Sequence, residues 1–100
     1  MPNAPARVYV RDSVAVAAES EVCVVGELRS GSVREGMQAC ISFGSFSVVK
    51  TIKRVGSLPG ASGDEISIAL DIPEEEERAF WKGLCSPGSW IGVIEDTENG

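Results

Sequence analysis

The sequence predicts an all-β protein: a small closed β-barrel of six to seven mostly antiparallel strands, with one short helical turn near residues 73–82. Three observations predict it. Apolar residues recur at every second position through most of the chain, the period of a strand with one buried face. Branched residues crowd these runs, and Gly, Ser and Pro punctuate them. Three glycines, Gly26, Gly31 and Gly36, stand five residues apart in the stretch from Val25 to Ser42, where the chain must bend, turn and bend again. Small barrels close through such bends.

Taken in order, Arg7 to Arg11 alternates polar and apolar residues, and Asp12-Ser13 interrupts it. Val14 to Ala18 reads as another short strand, ended by Glu19-Ser20-Glu21. Val22 to Leu28 is the most β-prone run, and Gly26 inside it marks a bulge or a close approach of another backbone. Gly31, within Arg-Ser-Gly-Ser, supplies a turn, and Gly36 a second one after Arg34-Glu35. Ala39 to Phe43 follows. In Phe46 to Val55, strict alternation puts Val48, Lys50, Ile52 and Arg54 on one face and Val49, Thr51, Lys53 and Val55 on the other. Gly56 to Gly63 is a loop. Glu65 to Ile72 alternates with Ile66, Ile68, Leu70 and Ile72 inward, and Trp90 to Ile94 is the last strand. Between them, Pro73, the glutamates Glu74 to Glu77, Lys82 and Gly83 are helix start and stop signals, with Gly83 closing the turn. Phe80 and Trp81 are expected to pack on the barrel end, and Trp90 to join the core.

The length allows one domain. Residues 1–6 read as a flexible lead without a secretory pattern, 7–94 as the barrel, and 95–100 as an acidic tail. No apolar run approaches the roughly 20 residues of a membrane helix, so no membrane partner is expected. Cys23, Cys40 and Cys85 are odd in number and widely spaced, and histidine is absent. Buried, reduced thiols in a cytoplasmic protein are expected, with no metal site.

The net charge is −6, and its excess lies in residues 71–82 and the tail; the rest of the chain is neutral. A protein that grips phosphate usually carries net positive charge. The sequence has no histidine for general-base work, no nucleophile in a recognisable setting and no GxxxxGK[ST] loop. No catalytic residues, cofactor or nucleotide are expected, and the chain reads as a non-enzyme. Asp64-Glu65 reads as a loop-to-strand junction, because adjacent strand residues face opposite ways.

These features together resemble the second, β-barrel domain of elongation factor Tu and related translational GTPases. Four pieces carry the resemblance: Val8 to Val16, similar to the opening strand pair; Val25 to Gly36, similar to V-[TS]-G-x-V-x-x-G-x-[IV]-x-x-G; Ala61 to Leu70, similar to A-G-D-x-V-x-[IL]-x-L; and Ile72 to Gly88, with its acidic turn and closing Pro87-Gly88. The likeness spans residues 7–94. It implies a binding module without an active site, whose partner is a protein or ribonucleoprotein. It also implies an alternative: an RNA-binding module for the transfer-RNA acceptor end, using Lys50, Lys53 and Arg54 on the strand that follows the central loop. The same three residues also suit an ordinary strand edge whose charges discourage edge pairing. In the RNA-binding alternative, Tyr9 or Phe43 would stack on a base.

Overall fold

The computed structural model describes residues 6–57 and 65–95. Six strands close into a barrel: β1 (Ala6–Val16), β2 (Glu21–Ser30), β3 (Gln38–Phe43), β4 (Phe46–Ser57), β5 (Glu65–Asp71) and β6 (Trp90–Ile94). Their order around the barrel is β1-β2-β5-β4-β3-β6, with β6 returning to β1. Every neighbouring pair is antiparallel. A single helix, α1 (Glu75–Leu84), connects β5 to β6. It is too short to cross a membrane, and no described helix is long and apolar enough to do so.

The inward positions follow the two-residue period. Val8 and Val10 of β1, Val22 and Val24 of β2, Ile66, Ile68 and Leu70 of β5, and Ile91 and Val93 of β6 are all buried. Branched side chains suit this pleated, enclosed surface. Met37, from the β2–β3 connection, and Trp81 and Cys85, at the end of α1, complete the core.

Seven strand-like runs became six strands, because the first two are one. Asp12 and Ser13 do not break β1; Arg11 is an extra residue there, since Val10 pairs with Gly26 and Asp12 with Val25. This bulge lets β1 bend while its pairing with β2 continues. Ala17 and Ala18 leave the strand for a single 3-10 turn, Ala17–Glu19, which ends at Ser20 with a left-handed φ of 55°. Arg29 of β2 is a second extra residue, since Arg7 pairs with Ser30 and Val8 with Leu28, and a third bulge falls in β4. Ile52 pairs with Leu70 and Arg54 with Ala69, so Lys53 is the extra residue. Strict alternation therefore fails past Ile52: Val55 packs against the core, and Arg54 lies on the outer surface.

The expected bending points divide. Gly31 and Gly36 have φ of 75° and 93°, as a turn on either side of the β2–β3 connection requires. Gly26 is no turn but a strand residue opposite Val10, and a Cβ there would lie 2.4 Å from the Tyr9 carbonyl oxygen. Close backbone approach is what demands glycine at that point. Gly83 does not close α1. The helix begins at Glu75, with Pro73 ahead of its N-cap Glu74, and runs through Gly83 to Leu84. Arg78 supplies a contact the sequence did not announce. Its buried guanidinium donates to the carbonyl oxygens of Ile72 and Pro73, both at 2.9 Å, and ties the β5–α1 connection to the helix. Trp81 is 1% exposed, as expected, whereas Phe80 and Trp90 are 48% and 41% exposed, and neither is core. The lead before residue 6, the loop over 58–64 with Asp64, and the tail past Glu95 lie outside the described residues.

Candidate functional site

Lys50, Lys53 and Arg54 are the basic residues that the sequence nominates, and the fold gives each a carboxylate. Lys50 shares an inward position with Val48 and Ile52, so its stem runs along the core and its ammonium emerges to meet Glu77 of α1 at 2.7 Å. Lys53, the bulge residue, donates to the Glu19 carbonyl oxygen at 3.1 Å and lies 3.5 Å from the Glu21 carboxylate. Arg54 binds Glu21 with a bidentate fork of 3.0 and 2.7 Å. Two parallel charge-assisted hydrogen bonds of this kind are among the stronger side-chain contacts. The three cations thus do not form one open patch. Lys50 leans toward the helix, and Lys53 and Arg54 converge on one carboxylate.

Glu21 is the centre of that arrangement. It opens β2 on the outer surface and is nonetheless 1% exposed, because Arg54 and Lys53 lie over it. Cys23, two residues on and so on the same face, donates its thiol to Glu21 Oε2 at 3.1 Å. The Arg54 guanidinium holds the Glu21 carboxyl below its ordinary value, against the opposing pull of burial. The same surroundings push the Cys23 thiol up to about 11, first through burial and then through the neighbouring carboxylate. Burial alone pushes Cys85 up to about 12. Thiolate is the nucleophilic form, and both groups are shifted away from it. Of the three thiols only Cys85 is fully buried; Cys23 and Cys40 are half-buried, which corrects the expectation for them. Beside Arg54, a recess of about 170 Å³ is floored by small residues, among them Cys23, Gly56, Ser67 and Ala69, with Glu35 at its margin. Among the described residues its one cation is the paired Arg54, and Glu35 adds a further carboxylate. Among the described residues, no group of three His, Cys, Asp or Glu stands close enough to hold a metal ion.

A different surface carries exposed aromatic and cationic side chains. Tyr9 of β1 and Trp90 of β6 are cross-strand partners, and their rings meet edge to face at 5.2 Å between centroids. The Arg7 guanidinium lies over the Trp90 ring at 4.4 Å, and Arg29 stands over Tyr9 at 5.7 Å. Such stacks attract through the negative face of the ring. Arg29 also pairs with Glu27, which Arg11 reaches as well while extending to Glu65. Arg7 differs from these: among the described residues no ion pair holds it. The strand register extends the face sideways. Arg7 pairs with Gly92, Gly92 with Cys40, and Cys40 with Val49, so one outward row crosses β1, β6, β3 and β4. Gly92 brings no side chain to the row, and Trp90 and Ile94 stand on the same face of β6 to either side. Val49, at the far end, is 43% exposed.

Sequence reasoning missed this surface by counting Trp90 with the core. The signal was present. Ile91 and Val93 are the inward pair of a five-residue strand, and the same alternation sends Trp90, Gly92 and Ile94 outward. Compared with protein-family models, curated proteins and solved structures, the chain matches none.

Proposed function

We propose that this chain is a non-catalytic binding module, a barrel of the kind found as the second domain of elongation factor Tu and its relatives, which docks a protein or ribonucleoprotein partner through the outer face of β1 and β6. The observation that carries the reading is the exposed Trp90, stacked under Arg7 and against Tyr9. Trp, Tyr and Arg dominate the energetic centres of protein interfaces, because each buries a large area with few rotatable bonds or several hydrogen-bond donors. A large indole left in water on a rigid sheet is preorganised for such use, since little side-chain freedom remains to be lost on binding.

The alternative, RNA held by Lys50, Lys53 and Arg54, has less physical support. A phosphate would have to displace Glu77 from Lys50 and Glu21 from the other two, in a molecule of net charge −6. Phosphate binding draws its affinity from releasing counterions around free cations, and these cations are already neutralised. A cytoplasmic setting, where thiols remain reduced, suits the three free cysteines.

The test is capture from a cell lysate on the immobilised protein at low and high salt, recovering both RNA and protein. The proposal expects protein partners that survive high salt, because apolar contacts are weakly screened. RNA enriched at low salt and lost at high salt, and lost again on neutralising Lys50, Lys53 and Arg54 together, would replace it with the alternative.

A further inference from the structure

We infer that the Arg7–Tyr9–Trp90 face takes an acidic peptide segment in which a large apolar side chain stands beside a carboxylate. The inference rests on the binding-module reading and adds the chemistry of the partner. Charge is the first ground. On this face Arg11 and Arg29 are paired with Glu27 and Glu65, whereas Arg7 has no ion-pair partner among the described residues, in a molecule that is −6 as a whole. Around Lys50, Lys53 and Arg54 the balance is the reverse: Glu77 and Glu21 pair with them, Glu19 adds its field at Arg54, and Glu35 borders the recess. The unpaired cation is Arg7. Its guanidinium lies over the Trp90 ring, and with no carboxylate on it among the described residues its N–H donors remain for one from a partner.

Placement is the second ground. The row through Arg7, Gly92, Cys40 and Val49 carries no side chain at Gly92, next to Trp90 and directly across from Arg7. A peptide that sets a carboxylate on Arg7 therefore has the exposed indole of Trp90 one strand away for an apolar side chain. Two other occupants fit less well. A nucleic-acid strand needs several unpaired cations along its backbone, and this face offers Arg7 alone. A second copy joined about a two-fold axis presents the same patch to itself, which brings like charges together at Arg7.

The experiment is selection from a displayed library of random short peptides on the whole protein, followed by affinity measurement of the enriched sequences by the fluorescence anisotropy of a dye attached to each peptide. Three variants accompany it: Trp90→Ala, Arg7→Glu and Arg7→Lys. Their unfolding is measured alongside, to show that each is folded. The inference expects enriched peptides of net negative charge carrying an aromatic or large aliphatic residue. It also expects at least ~10-fold weaker binding to Trp90→Ala and to Arg7→Glu. Arg7→Lys falls between, because an ammonium keeps the charge and loses the fork. Enriched peptides that are neutral or basic, affinity unchanged by these substitutions, or no enrichment at all would overturn it. Lysate proteins whose capture needs Trp90, but whose bound segment is not acidic, would overturn this inference and leave the binding-module reading standing. A barrel that captures no protein with or without Trp90 would remove both.

Discussion

Glu21 shows how a single residue becomes structural through its neighbours. In the sequence it sits in Glu-Ser-Glu, a composition that reads as an exposed turn. In the fold its carboxylate is covered by the Arg54 fork and touched by Cys23 and Lys53, which joins the start of β2 to the bulge in β4. No local pattern discloses this, because Arg54 is 33 residues away and reaches Glu21 only through the register of β2, β5 and β4. Glu21→Gln is expected to cost about 2 kcal/mol at neutral pH, the worth of hydrogen bonds to a charged partner, read by urea unfolding. The pH dependence has a definite sign. A carboxyl whose native value is lowered from 4.5 contributes fully above that value and loses its contribution as pH falls through the lowered one. The gap between the wild type and Glu21→Gln should therefore narrow in acid. A gap that holds constant from neutral to strongly acid solution would contradict the arrangement.

Elements show where pattern reading succeeds and where it stops. β5 and β6 follow their alternation throughout, because neither carries a bulge of its own and each has one face enclosed. β1 and β4 do not, and the reason is the same in both. One added residue, Arg11 or Lys53, reverses the faces beyond it, and barrel closure rather than local preference decides where it goes. Three glycines test this reading with different outcomes expected. Gly26→Ala drives a Cβ into the Tyr9 carbonyl and Val8, a backbone contact that cannot swing aside, and should cost about 3 kcal/mol. Gly31→Val places a branched residue at φ 75° and should lower stability by about 2 kcal/mol; an unchanged melting temperature would misplace the central turn. Gly83→Ala goes the other way. It lies inside α1 with nothing within 4 Å of the added carbon, so it should raise stability by about 1 kcal/mol, or the melting temperature by roughly 5 °C.

For the whole molecule, the barrel itself was legible, since alternation, branched residues and spaced glycines all point to one architecture. Function was legible only in part. The three basic residues of β4 are visible as a cluster, but the carboxylates that neutralise them come from α1 and β2, and only the assembled fold brings those together. The sequence likewise contains Arg7, Tyr9, Arg29 and Trp90, yet they are widely separated until β6 returns to β1 and closes the barrel. Folding thus gathers these four residues at the seam where β1 and β6 meet, and it is there that we propose the binding surface lies. Because Trp90 is outside the core, Trp90→Ala should cost about 1 kcal/mol or less in stability, the scale of one cross-strand pair, while removing most of the contact area offered to a partner.

The central claim is that this seam is where the protein binds, and one comparison tests it most directly: capture of protein partners by the wild type, by Trp90→Ala, and by a variant with Lys50, Lys53 and Arg54 neutralised. The seam account predicts that Trp90→Ala loses the partners and the triple variant keeps them. Partners retained by a folded Trp90→Ala and lost by the triple variant would contradict it and return the binding surface to β4.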